Sequence, residues 1–472
     1  MRCDVELQAA QCGTEPDRML SGSVALSAHT PQFHSAFVLA TVHRLPNEIL
    51  IFIFDLCCPE ESRNSGEEVD NVSQKHLREL GKVCSLWYWC IMGTPSLWCR
   101  VEINTEFWDS VPLSTKTLLS LVEFALQKGG THPLDVRLTV WSAEFRPAME
   151  MLVEHISRWR QVHFTGNSVV SQYLAGVKGK VDQLTSLRLE GNQWKSVEIF
   201  KHAVQLSKVE LYGRVDEIPE LPWTQLREFR FQNRGARGAN DCLALLSQAA
   251  NLDSASFALR LNSRSFDTPW KSSSSRITLF KLRLAARQAE LVGCLFDCLT
   301  LPALKALDIS DHDGLSPPLW APPQFAAFAA RSSLRDHLTE LSLHAQITDL
   351  ELLRCLETLP SLTSLHVSDS DEHTTITDTL LNGLICSFDA APLIPRLVCL
   401  EFTTVLAFTA SVYNEVITSR VVARRPRNES DRFTAILRWR EPANHEDIFT
   451  MLVRLTALKV EGGLLFYLYP GN

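Results

Sequence analysis

Several features that would place a chain in a membrane, outside the cell or on nucleic acid are absent from this sequence. No uninterrupted run of 18 apolar residues occurs, and the first residues, from Met1 to Glu6, do not begin an apolar signal segment. Aspartate and glutamate (54 residues) outnumber lysine and arginine (46), for a net charge of −8. Because nucleic-acid binding needs a concentrated basic surface, we predict no nucleic-acid partner. Because the sequence has neither a long apolar run nor an apolar signal segment, we also predict no membrane association and no secretion.

The 13 cysteines are odd in number, and their spacing forms no disulfide framework. We therefore expect reduced thiols, several of them in the core, and a cytoplasmic or nuclear protein. A glycine-rich phosphate loop, a Gly-x-Ser-x-Gly turn and a His-Glu-x-x-His helix are also absent, and the 14 histidines have no ligand spacing. We predict no enzyme activity, no cofactor and no metal site.

Two short apolar stretches lie near residues 50 and 90. In the first, Pro46 precedes apolar residues at helical spacing, and the run is apolar almost all round. In the second, apolar residues from Val83 to Ile91 follow helical spacing, and a Pro-Ser-Leu-Trp sequence ends the stretch at Trp98. Two such helices cannot bury both of their faces against each other, so another surface must cover them.

These stretches resemble the F-box, the adaptor-binding module of ubiquitin-ligase substrate receptors. Three sub-motifs carry the resemblance in the family's order: Leu45-Pro46-x-Glu48-Ile49-Leu50, Val83-Cys84-x-x-Trp87 and Pro95-x-Leu97-Trp98. A polar, acidic run between Pro59 and Gln74 departs from a compact F-box, and we interpret it as a surface loop.

The resemblance implies that this part of the chain binds a Skp adaptor and, through it, a cullin-RING ligase. It implies adaptor contacts for Leu45, Pro46, Ile49, Leu50, Ile53, Phe54, Val83 and Trp87. Exposed contiguous apolar surface normally marks a partner site, and packing within the F-box is the alternative interpretation.

The larger part of the chain repeats a Leu-x-x-Leu-x-Leu pattern. Its members begin at Leu184, Leu206, Leu226, Leu252, Leu279, Leu304, Leu338, Leu362 and Leu397, with an earlier one at Trp159 and a last one at Leu455. The period of 20 to 27 residues between Leu184 and Leu304 is typical of leucine-rich repeats. The asparagine expected after each strand is mostly missing, so the pattern resembles a degenerate leucine-rich repeat.

We therefore predict an α/β fold: a small all-α F-box module followed by a curved α/β leucine-rich-repeat-like solenoid. One strand and one helix cannot bury their apolar faces alone, so neighbouring repeats must stack. Residues 1–42 are predicted to be a mostly disordered extension, and residues 43–104 the F-box. Residues 105–472 would form the solenoid, opened by a helix and a strand within 115–140, with an irregular insertion at about 403–454.

Polar residues between the inward-facing apolar ones would line the concave side of such a solenoid. On this basis we predict substrate contacts from Arg188, Glu190, Glu210, Tyr212, Arg230, Arg283, Asp308, His366 and Glu401. A mixture of charges is also typical of any solvated sheet face, and this alternative stays open. The arginine-rich segment Arg420–Arg440 would suit an acidic or phosphorylated target, with a solvated insertion loop as the alternative.

These features together predict a non-catalytic substrate-recognition subunit of a Skp-cullin-F-box type ubiquitin ligase. It would bind the adaptor through the F-box and an unknown protein substrate through the solenoid, and it would accelerate ubiquitin transfer by proximity alone. The alternative is a leucine-rich-repeat scaffold without a ligase role, whose F-box-like region is only an N-terminal cap. A deep pocket with convergent His, Asp or Glu residues would instead favour an enzyme.

Overall fold

The computed structural model describes most of the chain from residue 45 onward. The described segments are 45–57, 74–104, 115–141, 145–175, 177, 180–194, 198–215, 220–233, 239–261, 272–273, 276–285, 288–312, 316–370, 372–387, 391–424, 432–440, 445–460 and 463–470. The predicted extension over residues 1–42 and most of the polar run between Pro59 and Gln74 lie outside these segments.

Three helices and a 3₁₀ turn form a small helical module at the start of the described chain. They are α1 (Asn47–Leu56), α2 (Gln74–Gly81), α3 (Ser85–Gly93) and the turn Pro95–Trp98. Pro46 precedes α1 with a φ of −55°, and its carbonyl oxygen accepts the backbone N–H groups of Ile49 and Leu50. The module has a core of its own, made of Leu50, Phe54, Leu77, Ile91, Leu97 and Trp98.

The rest of the described chain alternates strands with helices or turns. The strands are β1 (Arg100–Asn104), β2 (Leu134–Val140), β3 (Trp159–Gly166), β4 (Ser186–Trp194), β5 (Lys208–Val215), β6 (Glu228–Asn233), β7 (Ser254–Arg260), β8 (Ser272–Ser273), β9 (Leu279–Ala285), β10 (Leu299–Thr300), β11 (Ala306–Asp311), β12 (Glu340–Leu343), β13 (Ser364–Ser368), β14 (Cys399–Thr404), β15 (Phe433–Trp439) and β16 (Leu464–Pro470). The helices are α4 (Thr115–Gly129), α5 (Arg146–Glu154), α6 (Ser168–Ala175), α7 (Ala239–Gln248), α8 (Ala289–Cys298), α9 (Pro322–Arg331), α10 (Leu334–His337), α11 (Asp349–Glu357), α12 (Asp378–Leu384), α13 (Ala410–Arg424) and α14 (His445–Val460).

Fourteen of the strands form one parallel sheet in chain order, from β1 to β7, then β9, and then β11 to β16. Strands β8 and β10 form a separate two-stranded sheet. Parallel neighbours require a crossover, which the intervening helices and turns provide. The chain is therefore a mixed α/β protein built on a 14-stranded parallel sheet, and the α/β prediction is confirmed at this level.

The two sides of the sheet differ in burial. On β2 every second residue is buried, and the residues between are half-buried. In the members from Leu184 to Leu397 the fourth and sixth positions of the repeated pattern are buried, and so is the first position except at Leu279, which is half-buried. They join one apolar core with the helices, which extends from Cys99 to Leu464. We call the other side of the sheet the open face.

Two predictions about the C-terminal part of the chain are wrong. The described residues of the region 403–454, expected to be an irregular insertion, include α13 and β15, and β15 pairs in register with β14 and β16. The pattern at Leu455, expected to be a strand, lies on α14, where Met451, Leu455 and Leu458 are buried. Spacings of three and four residues fit a helix as well as a Leu-x-x-Leu strand unit, so the motif alone cannot separate the two.

Three glycines pair with one another near the ends of β3, β4 and β5. Gly166 is in register with Gly191, and Gly191 is in register with Gly213. Gly191 and Gly213 have φ angles of 136° and 98°, in the region that favours glycine. A Cβ atom on Gly191 would also overlap the carbonyl oxygen of Gly166. This column therefore needs glycine for both backbone conformation and space.

We expect Gly191→Ala to lower the free energy of unfolding by about 3 kcal/mol, because it combines a strained φ with a backbone clash. The midpoint of urea denaturation measures the change. Gly93→Ala is the matched control, since a Cβ atom there meets nothing within 4 Å. Equal shifts in the two variants would contradict the prediction.

Candidate binding surfaces

One side of α1 packs into the helical module. Leu50 and Phe54 are fully buried, and the Trp87 ring meets the Phe54 ring edge to face, with centroids 5.0 Å apart. Leu45 is partly buried against the same core. The structure thus places Leu50 and Phe54, two of the residues with predicted adaptor contacts, inside the module, because α3 and the 3₁₀ turn pack against this side of the helix.

The other side of α1 is apolar and exposed. Ile49, Phe52 and Leu56 are 46%, 61% and 68% exposed, and we call these three residues the outer stripe. Their spacing of three and four residues places them on one face of the helix. Pro46 is exposed, and Ile53 is half-buried. Of the predicted adaptor contacts on α1, Ile49 therefore has the most accessible apolar side chain.

A second group of exposed apolar residues lies on and just before α3. Val83 and Trp89 are largely exposed, and the Tyr88 and Trp89 rings meet edge to face at 5.4 Å. Sequence reasoning selected Val83 but missed Trp89, and on α1 it missed Phe52 and Leu56. Both helices are apolar all round, so the sequence did indicate an exposed apolar surface. It did not show which side of each helix faces outward, because that depends on which residues fill the module core.

Trp98 packs the module against α4, the first helix of the strand-helix region. Its indole N–H donates to the carbonyl oxygen of Ile91 (2.8 Å), and its ring meets that of Phe124 on α4 edge to face at 5.2 Å. Trp98 is buried, and β1 begins two residues later at Arg100. A packed contact and a continuous backbone therefore fix the orientation of the module relative to the sheet.

In-register pairing brings the predicted substrate residues onto the open face. A central row crosses the 14 strands through Glu102, Arg137, His163, Arg188, Glu210, Arg230, Ser256, Lys281, Asp308, Ser342, His366, Glu401, Ile436 and Tyr467. Six of the nine predicted residues belong to this row. The other three, Glu190, Tyr212 and Arg283, lie two positions further along their strands and share the same face.

Glu210 is the most buried charged residue of the central row, with 2% of its surface exposed. Its carboxylate lies 3.3 Å from Arg188 Nη1, 3.2 Å from Lys208 Nζ and 3.5 Å from Arg230 Nη1. The Tyr212 hydroxyl donates to the same carboxylate at 3.2 Å. Burial by itself raises the pKa of Glu210, but the surrounding cations outweigh it and hold the pKa below its usual value.

Glu190 extends this cluster toward β3. Arg188 Nη2 donates to its carboxylate at 2.8 Å, and His163 Nε2 lies 3.5 Å away. The hydrogen bond from His163, followed by the interaction with Arg188, lowers the pKa of Glu190 to about 2. Burial lowers the pKa of His163, which therefore stays neutral at neutral pH and can donate one N–H to the carboxylate.

We expect Glu190 to make stability depend on pH in the acidic range. Its folded-state pKa of about 2 lies below the ordinary value of 4.5, so its contribution is complete above pH 4.5 and is lost as the pH falls toward 2. Because the side chain is 39% exposed, solvent screening limits this contribution to about 1 kcal/mol. Urea denaturation of wild type and Glu190→Gln at several acidic pH values measures it. Parallel pH curves for the two proteins would contradict the prediction.

A cavity of about 350 Å³ lies between the helical module and the open face of the first five strands. Asp55, Leu77 and Leu97 line it from the module. Its charged lining from the sheet consists of Arg100, Glu102, Asp135, Arg137, Arg160, Arg188, Lys208 and Glu210. Arg160 binds Asp135 with two hydrogen bonds, and Arg137 lies 3.3 Å from Glu102. Because these charges are paired, the cavity suits a polar ligand of mixed charge better than one of a single sign.

The C-terminal half of the open face carries a second set of polar contacts. Ser342 Oγ and His366 Nδ1 are 3.2 Å apart, and where β11 and β12 end His344 Nδ1 is 2.8 Å from Asp311. Arg438 donates to Glu401 at 2.9 Å. Burial lowers the pKa of His366. Among the residues that the structure describes, no three His, Cys, Asp or Glu side chains form a group that could hold a metal ion.

Arg420, the first arginine of the segment Arg420–Arg440, lies in the interior, whereas residues 425–431 of the segment are outside the described residues. Arg420 is 3% exposed, and its guanidinium donates to the carbonyl oxygens of Leu384, Leu393 and Ile394 at 2.7 to 2.9 Å. Ile394 has a φ of 49°, an unfavourable conformation for a β-branched residue. Arg420 therefore stabilises a strained turn and is not available to a target.

No protein-family model matches this chain, and no curated protein matches it. None of the helices in the described part of the chain is both long enough and apolar enough to span a membrane.

Proposed function

We propose that the chain is the substrate-recognition subunit of a Skp-cullin-F-box type ubiquitin ligase. In this proposal the helical module is the F-box and binds a Skp adaptor, which connects it to a cullin-RING ligase. The strand-helix units form a leucine-rich-repeat-like solenoid that binds an unknown protein substrate in the cytoplasm or nucleus. The three sub-motifs that resemble the F-box fall on α1, on α3 with the residues before it, and on the 3₁₀ turn.

The observation that carries the proposal is the division of α1 into two apolar sides. Leu50 and Phe54 fill the module core, while the outer stripe of Ile49, Phe52 and Leu56 is exposed. A helix that is apolar on both sides is normally covered on both. An adaptor that presents an apolar surface would provide the missing cover, and the outer stripe would form the centre of the interface.

The open face supports the second half of the proposal. It presents a continuous row of polar and charged side chains from Glu102 on β1 to Glu401 on β14, and sheet faces of this kind serve as binding surfaces in repeat proteins. The packing of Trp98 against Phe124 joins the helical module to α4, which supports a constant position of the proposed adaptor site relative to this face. Such a receptor needs no catalytic residue, because holding target and conjugating enzyme together is sufficient for rate acceleration.

Co-purification of the 472-residue chain with a Skp adaptor tests the proposal. A one-to-one complex that requires Ile49 and Phe52 would support it. A folded chain that binds no adaptor would contradict it, and would favour a repeat scaffold without a ligase role.

A further inference from the structure

The helical module closes one end of the open face. The cavity of about 350 Å³ lies where the module meets the first five strands, with Asp55 and Leu77 on the module side. Beyond β5 the open face continues from strand to strand through the rest of the sheet. A chain that lay along the open face would therefore meet the module at the cavity, where its path ends.

A β-bulge on β3 turns an additional side chain into this cavity. Leu134 of β2 pairs with Trp159, but the next residue, Asp135, pairs with Gln161, so that Arg160 is the extra residue. Arg160 and Gln161 are consecutive, yet both are exposed and both line the cavity. Regular alternation would have placed only one of them on the open face. Bulges commonly re-aim side chains in this way beside functional sites.

The sheet side of the cavity presents hydrogen-bond donors beyond those that the described chain uses. Gln161, Ser186 and Lys208 share one register position on β3, β4 and β5. The Gln161 amide and the Ser186 hydroxyl make no hydrogen bond to another described residue. The Lys208 ammonium has three N–H donors, and the nearest carboxylate, that of Glu210, lies 3.2 Å away. Three neighbouring strands thus provide an amide, a hydroxyl and an ammonium group side by side.

The charge of the lining favours an anion with a single charge. Five cations and four carboxylates line the cavity, so its net charge is one positive when His163 is neutral. The guanidinium of Arg160 already binds Asp135 with two hydrogen bonds, and that of Arg188 is shared by Glu190 and Glu210. A phosphate dianion normally requires guanidinium groups that are available to it. The remaining donors suit one carboxylate better.

The module side of the cavity offers the opposite charge. Asp55 of α1 is exposed, and its carboxylate makes no hydrogen bond and no ion pair with another described residue. It lies on the opposite wall from Arg160. The hydrogen bonds to Asp135 raise the pKa of Arg160, and Asp55 adds a smaller contribution in the same direction. A cationic group of a ligand would therefore find a carboxylate acceptor at Asp55.

We propose that the cavity binds the carboxy-terminal end of a polypeptide that has lysine or arginine among its last two residues. The terminal carboxylate would accept hydrogen bonds from Gln161, Ser186 and Lys208, and the basic side chain would bind Asp55. An internal segment would leave the three donors without a backbone carboxylate. Capture of a chain end by convergent donors is a known mode of peptide recognition.

The size of the cavity agrees with this class of ligand. Its volume lies near the lower end of the range of about 300 to 1,000 Å³ for small-ligand sites, so that only the end of a chain enters. The preceding residues would extend along the open face, over Arg230 and the strands beyond it. The proposal rests on the proposed function in one respect, because it names the class of target that the solenoid would bind.

Affinity selection with synthetic peptide pools tests the proposal on the full chain without an adaptor. The probe is a pool of hexapeptides with lysine at one of the last two positions, mixed residues elsewhere and a free carboxyl terminus. Two matched pools differ from it in one group each: an amidated terminus, or norleucine in place of lysine. We expect the probe to be retained at least about 10-fold better than either matched pool.

Three variants with changes at exposed residues identify the site. Gln161→Glu replaces a donor by a carboxylate where the ligand carboxylate would lie, so retention of the probe should fall at least about 10-fold. Asp55→Asn should remove the preference for lysine over norleucine and keep the preference for a free carboxyl terminus. Gln248→Glu, the same change as at Gln161 but on an exposed residue of α7 outside the cavity, should bind as wild type does.

Three results would each overturn the proposal: retention of no peptide, equal retention of the free and amidated pools, or retention by Gln161→Glu equal to that of wild type. Adaptor binding is measured separately. A chain that binds the adaptor but selects none of the pools would overturn this proposal alone. A chain that selects free carboxyl termini but binds no adaptor would overturn the ligase function alone.

Discussion

Replacing Ile49 and Phe52 by aspartate should abolish co-purification with a Skp adaptor. Both residues belong to the outer stripe and are exposed in the chain, so the change adds no charge to the module core. In a complex, each carboxylate would be moved from water into an apolar interface without a partner. We expect the affinity to fall by at least about 1,000-fold, equivalent to about 4 kcal/mol. Calorimetric titration with the purified adaptor measures the loss.

The choice of residues decides whether this experiment is informative. Aspartate at Leu50 would also abolish binding, but it would do so by placing a charge in the module core. Val204→Asp/Leu350→Asp is the matched control, since it converts two exposed apolar residues outside the module. Undiminished binding by the Ile49→Asp/Phe52→Asp variant would show that the adaptor, if it binds, uses another surface.

The repeated units could be predicted from sequence because their chemistry is local. Alternating apolar residues after Leu184 determine which side of each strand is buried, and the preceding leucine closes the turn. Prediction failed where two regular structures share a spacing. The pattern at Leu455 fits the buried stripe of α14. The unit formed by α13 and β15 has no leading leucine, the feature by which the other units were recognised in the sequence.

The candidate surfaces were predicted less completely, for a different physical reason. All nine substrate candidates share one face, since strand alternation alone determines which side a residue occupies. On α1 no such rule applied, because both sides of the helix are apolar. Only the module core, in which Leu50 and Phe54 cluster with Ile91, identifies the inner side, and with it the exposure of Phe52.

Arg420 illustrates how tertiary structure can reverse the interpretation of a charge. We expect Arg420→Ala to lower the free energy of unfolding by about 4 kcal/mol, because it leaves the carbonyl oxygens of Leu384, Leu393 and Ile394 without their donor in the interior. It also removes the donors that hold the turn at Ile394 in its unfavourable conformation, with a φ of 49°. The midpoint of urea denaturation measures the effect.

Two further variants separate this role from the effect of charge alone. Arg420→Lys keeps the positive charge, but a single ammonium group cannot reproduce the planar fork that reaches three carbonyl oxygens, so most of the loss should remain. Arg424→Ala removes a partly exposed arginine one turn later, whose bond to the carbonyl oxygen of Leu397 is 3.4 Å long. That change should stay within about 0.5 kcal/mol of wild type. If Arg420→Lys retained wild-type stability, charge rather than the geometry of the guanidinium would explain the burial of Arg420.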